Sequence, residues 1–231
     1  MAILTPTPSA PARAALADLG PLEQLRAGRL ARRVPQLLVG LVLYGVSLAL
    51  MVRSATGLAP WDVLHSGFIQ HVPITLGQAV VLFSFVVLVA WVPLRERPGV
   101  ATLANAVLVG LSADATMALL AEPGALAARV ALMAGGIALC ALSTALYIGA
   151  QFGRGPRDGL MTGLHRRTGL SIRAVRTGLE AAVVLIGIAL GGAIGVGTIV
   201  FALTIGPLTQ WMLPWCLVDL PEAGPEVAPE L

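Results

Sequence analysis

Six apolar runs of roughly 20 residues dominate the chain, near 34–54, 74–94, 99–120, 129–150, 173–193 and 196–216. As a helix, a run of that length covers a hydrocarbon core of about 30 Å, so the pattern predicts six transmembrane helices. Two of the linkers are longer than a turn requires. Trp61 to His71 and Pro156 to Thr168 each read as a short helix. Pro60 and Pro156 take the first helical position, where the missing N–H would be unpaired anyway, and Asp62 and Asp158 fall in the first turn, where a carboxylate complements the positive helix end. A helix of about 12 residues rises about 18 Å, half a bilayer, so each either dips in from one face or lies flat at the interface. The other connections are tight: Arg95 to Gly99 and Gly191 to Gly195 lead directly into the next run. Gly187, Gly191 and Gly195, four apart, predict a small-residue face for close helix packing.

The pattern is written twice. Sliding the chain by about 96 positions lays Gly57-Leu-Ala-Pro60-Trp-Asp62 onto Gly153-Arg-Gly-Pro156-Arg-Asp158 without a gap. The match runs from Arg33/Arg129 through Gly40/Gly136, Ser47/Ser143 and Gly67/Gly163 to Gly99/Gly195, Thr102/Thr198 and Gly110/Gly206. Roughly a quarter of about 80 aligned pairs are identical, and the Gly, Pro and Asp matches carry the weight in a chain rich in interchangeable aliphatics. An odd number of spans per copy inserts the second copy upside down, related to the first by a pseudo-twofold axis in the membrane plane, as in many secondary transporters. The expected fold is all-α: a polytopic membrane bundle of six transmembrane helices built from two inverted three-helix repeats, each with a short extra helix after its first span. Residues 33–120 form the first repeat and 129–216 the second. Residues 1–32 are a cytoplasmic tail without the apolar core of a signal peptide, and 217–231 an acidic, proline-rich, disordered tail.

Charge fixes the orientation. All fifteen basic residues are arginine, and charged residues make up 12% of the chain against the roughly 25% usual in soluble domains. The arginines flank spans, which argues for the lipid bilayer rather than nucleic acid as partner. With a cytoplasmic N-terminus, only Arg53 and Arg129 fall outside, so both termini are expected on the cytoplasmic face of a bacterial cell membrane. Cys140 and Cys216 lie in apolar stretches and suggest neither a disulfide nor a metal site.

Several stretches look familiar. Gly40 and Tyr44 followed by Gly57-Leu-Ala-Pro-Trp-Asp-Val-Leu-His65, and Tyr147-Ile-Gly-Ala followed by Gly153-Arg-Gly-Pro-Arg-Asp-Gly-Leu-Met-Thr-Gly-Leu164, resemble the YczE-like bacterial membrane proteins, grouped with the YitT-type proteins. The resemblance covers roughly residues 30 to 216 and implies a bacterial cytoplasmic-membrane protein. It implies no substrate or reaction.

Ionisable groups within spans cost about 2.5–3.5 kcal/mol at the helix centre, so each needs a reason. Pro60, Trp61, Asp62, Pro156, Arg157 and Asp158 are the candidate substrate-binding residues. Two readings are open and can hold together: the two carboxylates cap their own helices, and the symmetry-related helix starts meet and form a polar chamber for a proton, a cation or a cationic solute. His65 can share a helix face with Asp62. Glu180 pairs with Arg176 one turn before it, or lines a cytoplasmic vestibule as a gate. Asp114 is a further candidate, and Asn105 is expected to make an interhelical hydrogen bond. Trp91, Trp211 and Trp215 read as an aromatic belt, which Trp61 either joins or leaves to wall the chamber. His165, Arg166 and Arg167 form a basic cytoplasmic cluster.

No nucleotide loop, metal-ligand pair or nucleophile–base arrangement is visible, so neither an enzyme nor a cofactor is expected. The leading expectation is a small permease for a solute or ion. The alternative is a membrane accessory protein that transports nothing and docks a partner on the basic 154–176 face. Self-association or a partner membrane protein is compatible with either.

Overall fold

The computed structural model describes residues 20–220, which are all-helical, with no strand among them. The helices are α1 (Pro21–Arg26), α2 (Leu30–Ser54), α3 (Pro60–Phe68), α4 (Leu76–Leu94), α5 (Val100–Leu119), α6 (Leu126–Gly149), α7 (Pro156–Thr168), α8 (Ile172–Ala189) and α9 (Val196–Cys216). Five of them, α2, α4, α5, α6 and α9, are long and apolar enough to cross a membrane. The sixth expected span, α8, falls short by composition: Arg173, Arg176 and Glu180 lie within its 18 residues. Val89, Val92, Leu185, Val196 and Leu203 are each at least 68% exposed, an apolar exterior of the kind that lipid covers.

At the centre α2 and α6 cross antiparallel. Glycines allow the approach: a side chain on Gly40 would meet Tyr147 N at 2.9 Å and Ser143 O at 3.2 Å, and one on Gly136 would meet Met51 Cγ at 2.7 Å and Ser47 O at 3.1 Å. Without a hydrophobic drive between helices in lipid, such close backbone packing is a main source of cohesion. Helix α5 packs on α2, and α9 on α6. Each short helix docks on the other repeat, α3 against α8 and α7 against α4.

The helix starts are tied across the repeats in the same way. The first N–H groups of a helix have no internal partner. Ala101 N–H at the start of α5 donates to Phe152 O (3.0 Å), and Gly197 N–H at the start of α9 donates to Thr56 O (2.9 Å). Thr102 Oγ1 donates to Arg154 O (2.6 Å), while Thr198 Oγ1 accepts from Leu58 N–H (3.0 Å). Every one of these residues stands 96 positions from its counterpart in the other tie.

The repeats differ at their hairpins. Helices α4 and α5 pack closely, with Gly110 so near Gly77 that a side chain would meet its carbonyl at 2.3 Å. Helices α8 and α9 part from the Leu190–Gly195 turn without packing along their length, and nothing lies within 4 Å of where a Gly206 side chain would stand. Asp114 explains the closed pair. Its carboxylate accepts from Thr75 Oγ1 (2.5 Å) and from Gly77 N–H (2.8 Å), pinning the start of α4 to α5.

Several expectations are corrected. The amino-terminal segment carries a helix, α1, whose Gln24 is buried against the bundle. Arg32 and Arg33 lie inside α2, and Arg33 is fully buried instead of flanking the span. The acidic carboxy-terminal segment begins ordered: Val218 is fully buried and its N–H donates to Gly149 O (3.0 Å). Residues 1–19 and 221–231, on which the rest of both tail expectations falls, lie outside the described residues. Of the glycines spaced four apart, Gly187 meets α3, Gly195 meets the Thr56 turn, and Gly191 sits in a turn with nothing beside it. Trp211 and Trp215 are exposed and 4.5 Å apart at the end of α9, as a belt requires, but Trp91 is buried.

Candidate functional site

The turns into α3 and α7 are built alike. Gly57 (φ +136°) and Gly153 (φ +101°) take left-handed conformations that other residues resist, and each hands the chain to a helix beginning at proline. The residue after each proline then faces its counterpart. The Arg157 guanidinium carbon stands 5.1 Å from the centre of the Trp61 ring, a cation–π distance. The same guanidinium lies 3.9 Å from Asp62 Oδ1. The aligned pair Trp61 and Arg157 is therefore stacked where the two repeats meet.

Both aspartates lie in the first turn of their helices and also take side-chain partners. Asp62 is buried, with His65 Nδ1 3.1 Å from its Oδ1. Helix α3 is too short to span a membrane, and burial pulls the His65 imidazole below its ordinary pKa, while the Asp62 hydrogen bond pulls it up. Arg157 is thus the permanent positive charge beside Asp62. Asp158 Oδ2 accepts from Tyr147 O–H at 2.5 Å. Tyr147 also meets Tyr44 edge to face, 6.3 Å between centres, so both tyrosines of the chain stand here.

Trp91 anchors this arrangement from α4. Its Nε1–H donates to Pro156 O at 2.9 Å, and its ring fills the space that a Gly159 side chain would need, 2.0 Å away. Gly159→Val is expected to expel Trp91 and unseat α7 from α4. The protein should then lose its sharp size-exclusion peak in detergent, whereas Gly178→Ala, with open space around it, should keep it.

These residues enclose a cavity of about 320 Å³. Pro60, Trp61, Pro156, Arg157 and Asp158 line it. So do Tyr44, Tyr147 and Phe201, and Arg176 with Glu180, which form an ion pair at 2.8 Å. The structure brings five of the six motif residues and Glu180 to one chamber and puts Asp62 and His65 directly behind Arg157. Asp114 does not join them; it is the pin between α4 and α5. Asn105 faces the cavity and makes no hydrogen bond to another described residue, contrary to the interhelical bond expected of it. Sequence reasoning passed over Tyr44, Tyr147 and Trp91, although the scarcity of tyrosine was a usable signal. Among the described residues no group of His, Cys, Asp and Glu could hold a metal ion.

The profile of the family of unknown function DUF6198 matches residues 31–214, the whole helical body from α2 almost to the end of α9. The chain belongs to this family. Among its relatives, an uncharacterised protein of Haemophilus influenzae is 41% identical over 77% of this chain and 81% of its own length. Two proteins of Bacillus subtilis are also similar. The uncharacterised membrane protein YczE is 31% identical over 74% of this chain and 80% of its own, and YyaS 25% identical over 76% and 90%. The YczE-like resemblance read from the sequence is thereby established. No solved structure matches this DUF6198 chain.

Proposed function

We propose that this DUF6198 protein is a small permease of the bacterial cytoplasmic membrane, moving a solute or ion between two inverted three-helix repeats. In this reading α8 is the sixth span, its Arg176–Glu180 pair turned into the cavity, and both termini are cytoplasmic, as the arginine distribution requires. One observation carries the proposal: the Pro-x-Asp helix starts of both repeats converge on a single cavity at their interface. Secondary transporters bind their cargo in that position, between repeats and beside the starts of short helices. The crosswise docking of α3 and α7, and the paired ties at the starts of α5 and α9, support the inverted relation.

The difference between the hairpins supports the transport step. On the outer side Asp114 holds α4 against α5; on the cytoplasmic side α8 and α9 stand apart. That is an inward-open state. The aligned positions make the reverse state legible: Thr75, Gly77, Gly110 and Asp114 correspond to Ser171, Arg173, Gly206 and Gln210. Rocking that closes α8 on α9 while α4 leaves α5 would open the same cavity to the outside.

The accessory-protein reading draws less support. Its docking arginines are engaged within the chain: Arg157 with Trp61 and Asp62, Arg166 with Glu96, and Arg167 with Pro93 O. No catalytic or cofactor role is assigned.

The reporter of access is Met161→Cys, at a half-buried position on the cavity wall, because Cys140 on the same wall is itself buried. In a protein that also carries Cys140→Ser and Cys216→Ser, a small impermeant thiol reagent is applied to inside-out and right-side-out vesicles. The Met161→Cys thiol is expected to react from the cytoplasmic side and, more slowly, from the outside. Silence from both sides in folded protein would remove the basis of the permease reading.

A further inference from the structure

The cavity separates its polar groups into two kinds. Every charged side chain on its wall has a partner: Arg157 with Trp61 and Asp62, Asp158 with Tyr147, and Arg176 with Glu180. With Asp62 behind Arg157 the site sets two arginines against three carboxylates, a balance that disfavours an anion. The wall groups with no partner among the described residues are neutral. They are the carboxamides of Asn105 and Gln210 and the hydroxyls of Thr144 and Thr209, and Thr209 Oγ1 is buried without a hydrogen bond. They come from α5, α6 and α9, and the aromatic rings of Tyr44, Tyr147 and Phe201 line the same space.

These two sets favour different ligands. An anion must draw Arg157 from Asp62 or Arg176 from Glu180, and a cation must draw Asp158 from the Tyr147 hydroxyl, so an ionic solute binds at the expense of a contact the protein already makes. A neutral hydrogen-bonding solute breaks no pair and satisfies groups that are otherwise left unpaired, which is where polar selectivity is greatest. Resting on the permease reading, we infer that the cargo is a compact, uncharged solute with hydrogen-bonding groups on one side and an apolar or aromatic face on the other. The volume, about 320 Å³, equals roughly ten water molecules at about 30 Å³ each. The ions Asp62, Arg157, Asp158, Arg176 and Glu180 then hold the walls in place and take no charge from the cargo.

The test uses matched probes that differ in charge and little in size: nicotinamide against nicotinate, and ribitol against ribonate. Purified Met161→Cys protein, with Cys140→Ser and Cys216→Ser, is assayed in nanodiscs for thermal stabilisation and for protection of the Met161→Cys thiol from the reagent. The expected result is a concentration-dependent rise in Tm and protection with at least one neutral probe and with neither anion. Thr209→Val, which keeps the shape and removes an unpaired buried hydroxyl, should leave the probe-free Tm unchanged or higher and weaken the neutral probe about tenfold. A response confined to the anions, or surviving Thr209→Val and Asn105→Leu unchanged, would overturn the inference. So would no response to either neutral probe. In each of these cases a Met161→Cys thiol that still reacts from the cytoplasmic side leaves the permease reading standing, whereas one silent from both sides removes both.

Discussion

Arg33→Ala is expected to destabilise the protein by about 2–4 kcal/mol, because it leaves buried backbone carbonyls without their charged donor. The side chain has no exposure to solvent. Its Nε donates to Ala150 O (2.8 Å), Nη1 to Gln24 O (2.8 Å), and Nη2 to Gln151 O (2.8 Å), while the guanidinium stacks 4.2 Å from the centre of the Phe152 ring. One planar group thus satisfies the carbonyls that end α6 and binds α1 to them. Lysine cannot replace it, because an ammonium lacks the flat fork that reaches four carbonyls, Gly28 O (3.2 Å) among them, while stacking on a ring. Arg129, the aligned residue of the second repeat, pairs with Glu122 in a partly exposed position. Arg129→Ala should therefore cost no more than about 1 kcal/mol. Equilibrium unfolding in mixed micelles compares the two; equal losses would mean that the buried guanidinium is not the hub described.

Closing the cytoplasmic slot should abolish access from that side. Ser171 caps the start of α8, its Oγ accepting from Ala174 N–H (3.2 Å), as Thr75 caps α4, and Gln210 stands where Asp114 stands in the closed pair. Ser171→Cys and Gln210→Cys, joined as a disulfide by a mild oxidant in the protein that carries Met161→Cys, Cys140→Ser and Cys216→Ser, hold α8 to α9. Reaction of the Met161→Cys thiol should then fall to background from the cytoplasmic side and rise from the outer side. Unchanged access from the cytoplasm after complete cross-linking would mean that the α8–α9 slot is not the entrance. A loss from the cytoplasm with no gain outside would make α8 a plug and end the argument for two alternating states.

The body of this fold was legible because each long helix is written as an uninterrupted apolar run, and its ends moved by only a few residues between pattern and structure. The site was legible for a different reason. Glycine, proline and aspartate have strict positional uses, so their recurrence at one spacing marked the two helix starts that share the cavity. Arg33 was not legible. An arginine before an apolar run looks like a topology signal whether it faces water or is folded inward onto the end of another helix, and its burial depends on a contact more than a hundred residues away. Asp114 was not legible as a clasp for a similar reason: a carboxylate in a span suggests chemistry, and only the position of Thr75 and Gly77 shows what it holds. The parting of α8 from α9 has no local signature either, because their sequences are compatible with both arrangements.

The α2–α6 crossing has a consequence for how such a chain can arise. Gly40 rests against Ser143 and Tyr147, and Gly136 against Ser47 and Met51, so each helix offers the other the same patch. A contact of that kind is isologous, the geometry of a twofold homodimer. On the inverted-repeat reading proposed above, a polypeptide of half this length, inserted in both orientations, would already possess this central contact. Fusing two copies of its gene would keep the contact and leave each copy free to diverge, as the aligned pairs Asp114 with Gln210 and Trp61 with Arg157 differ.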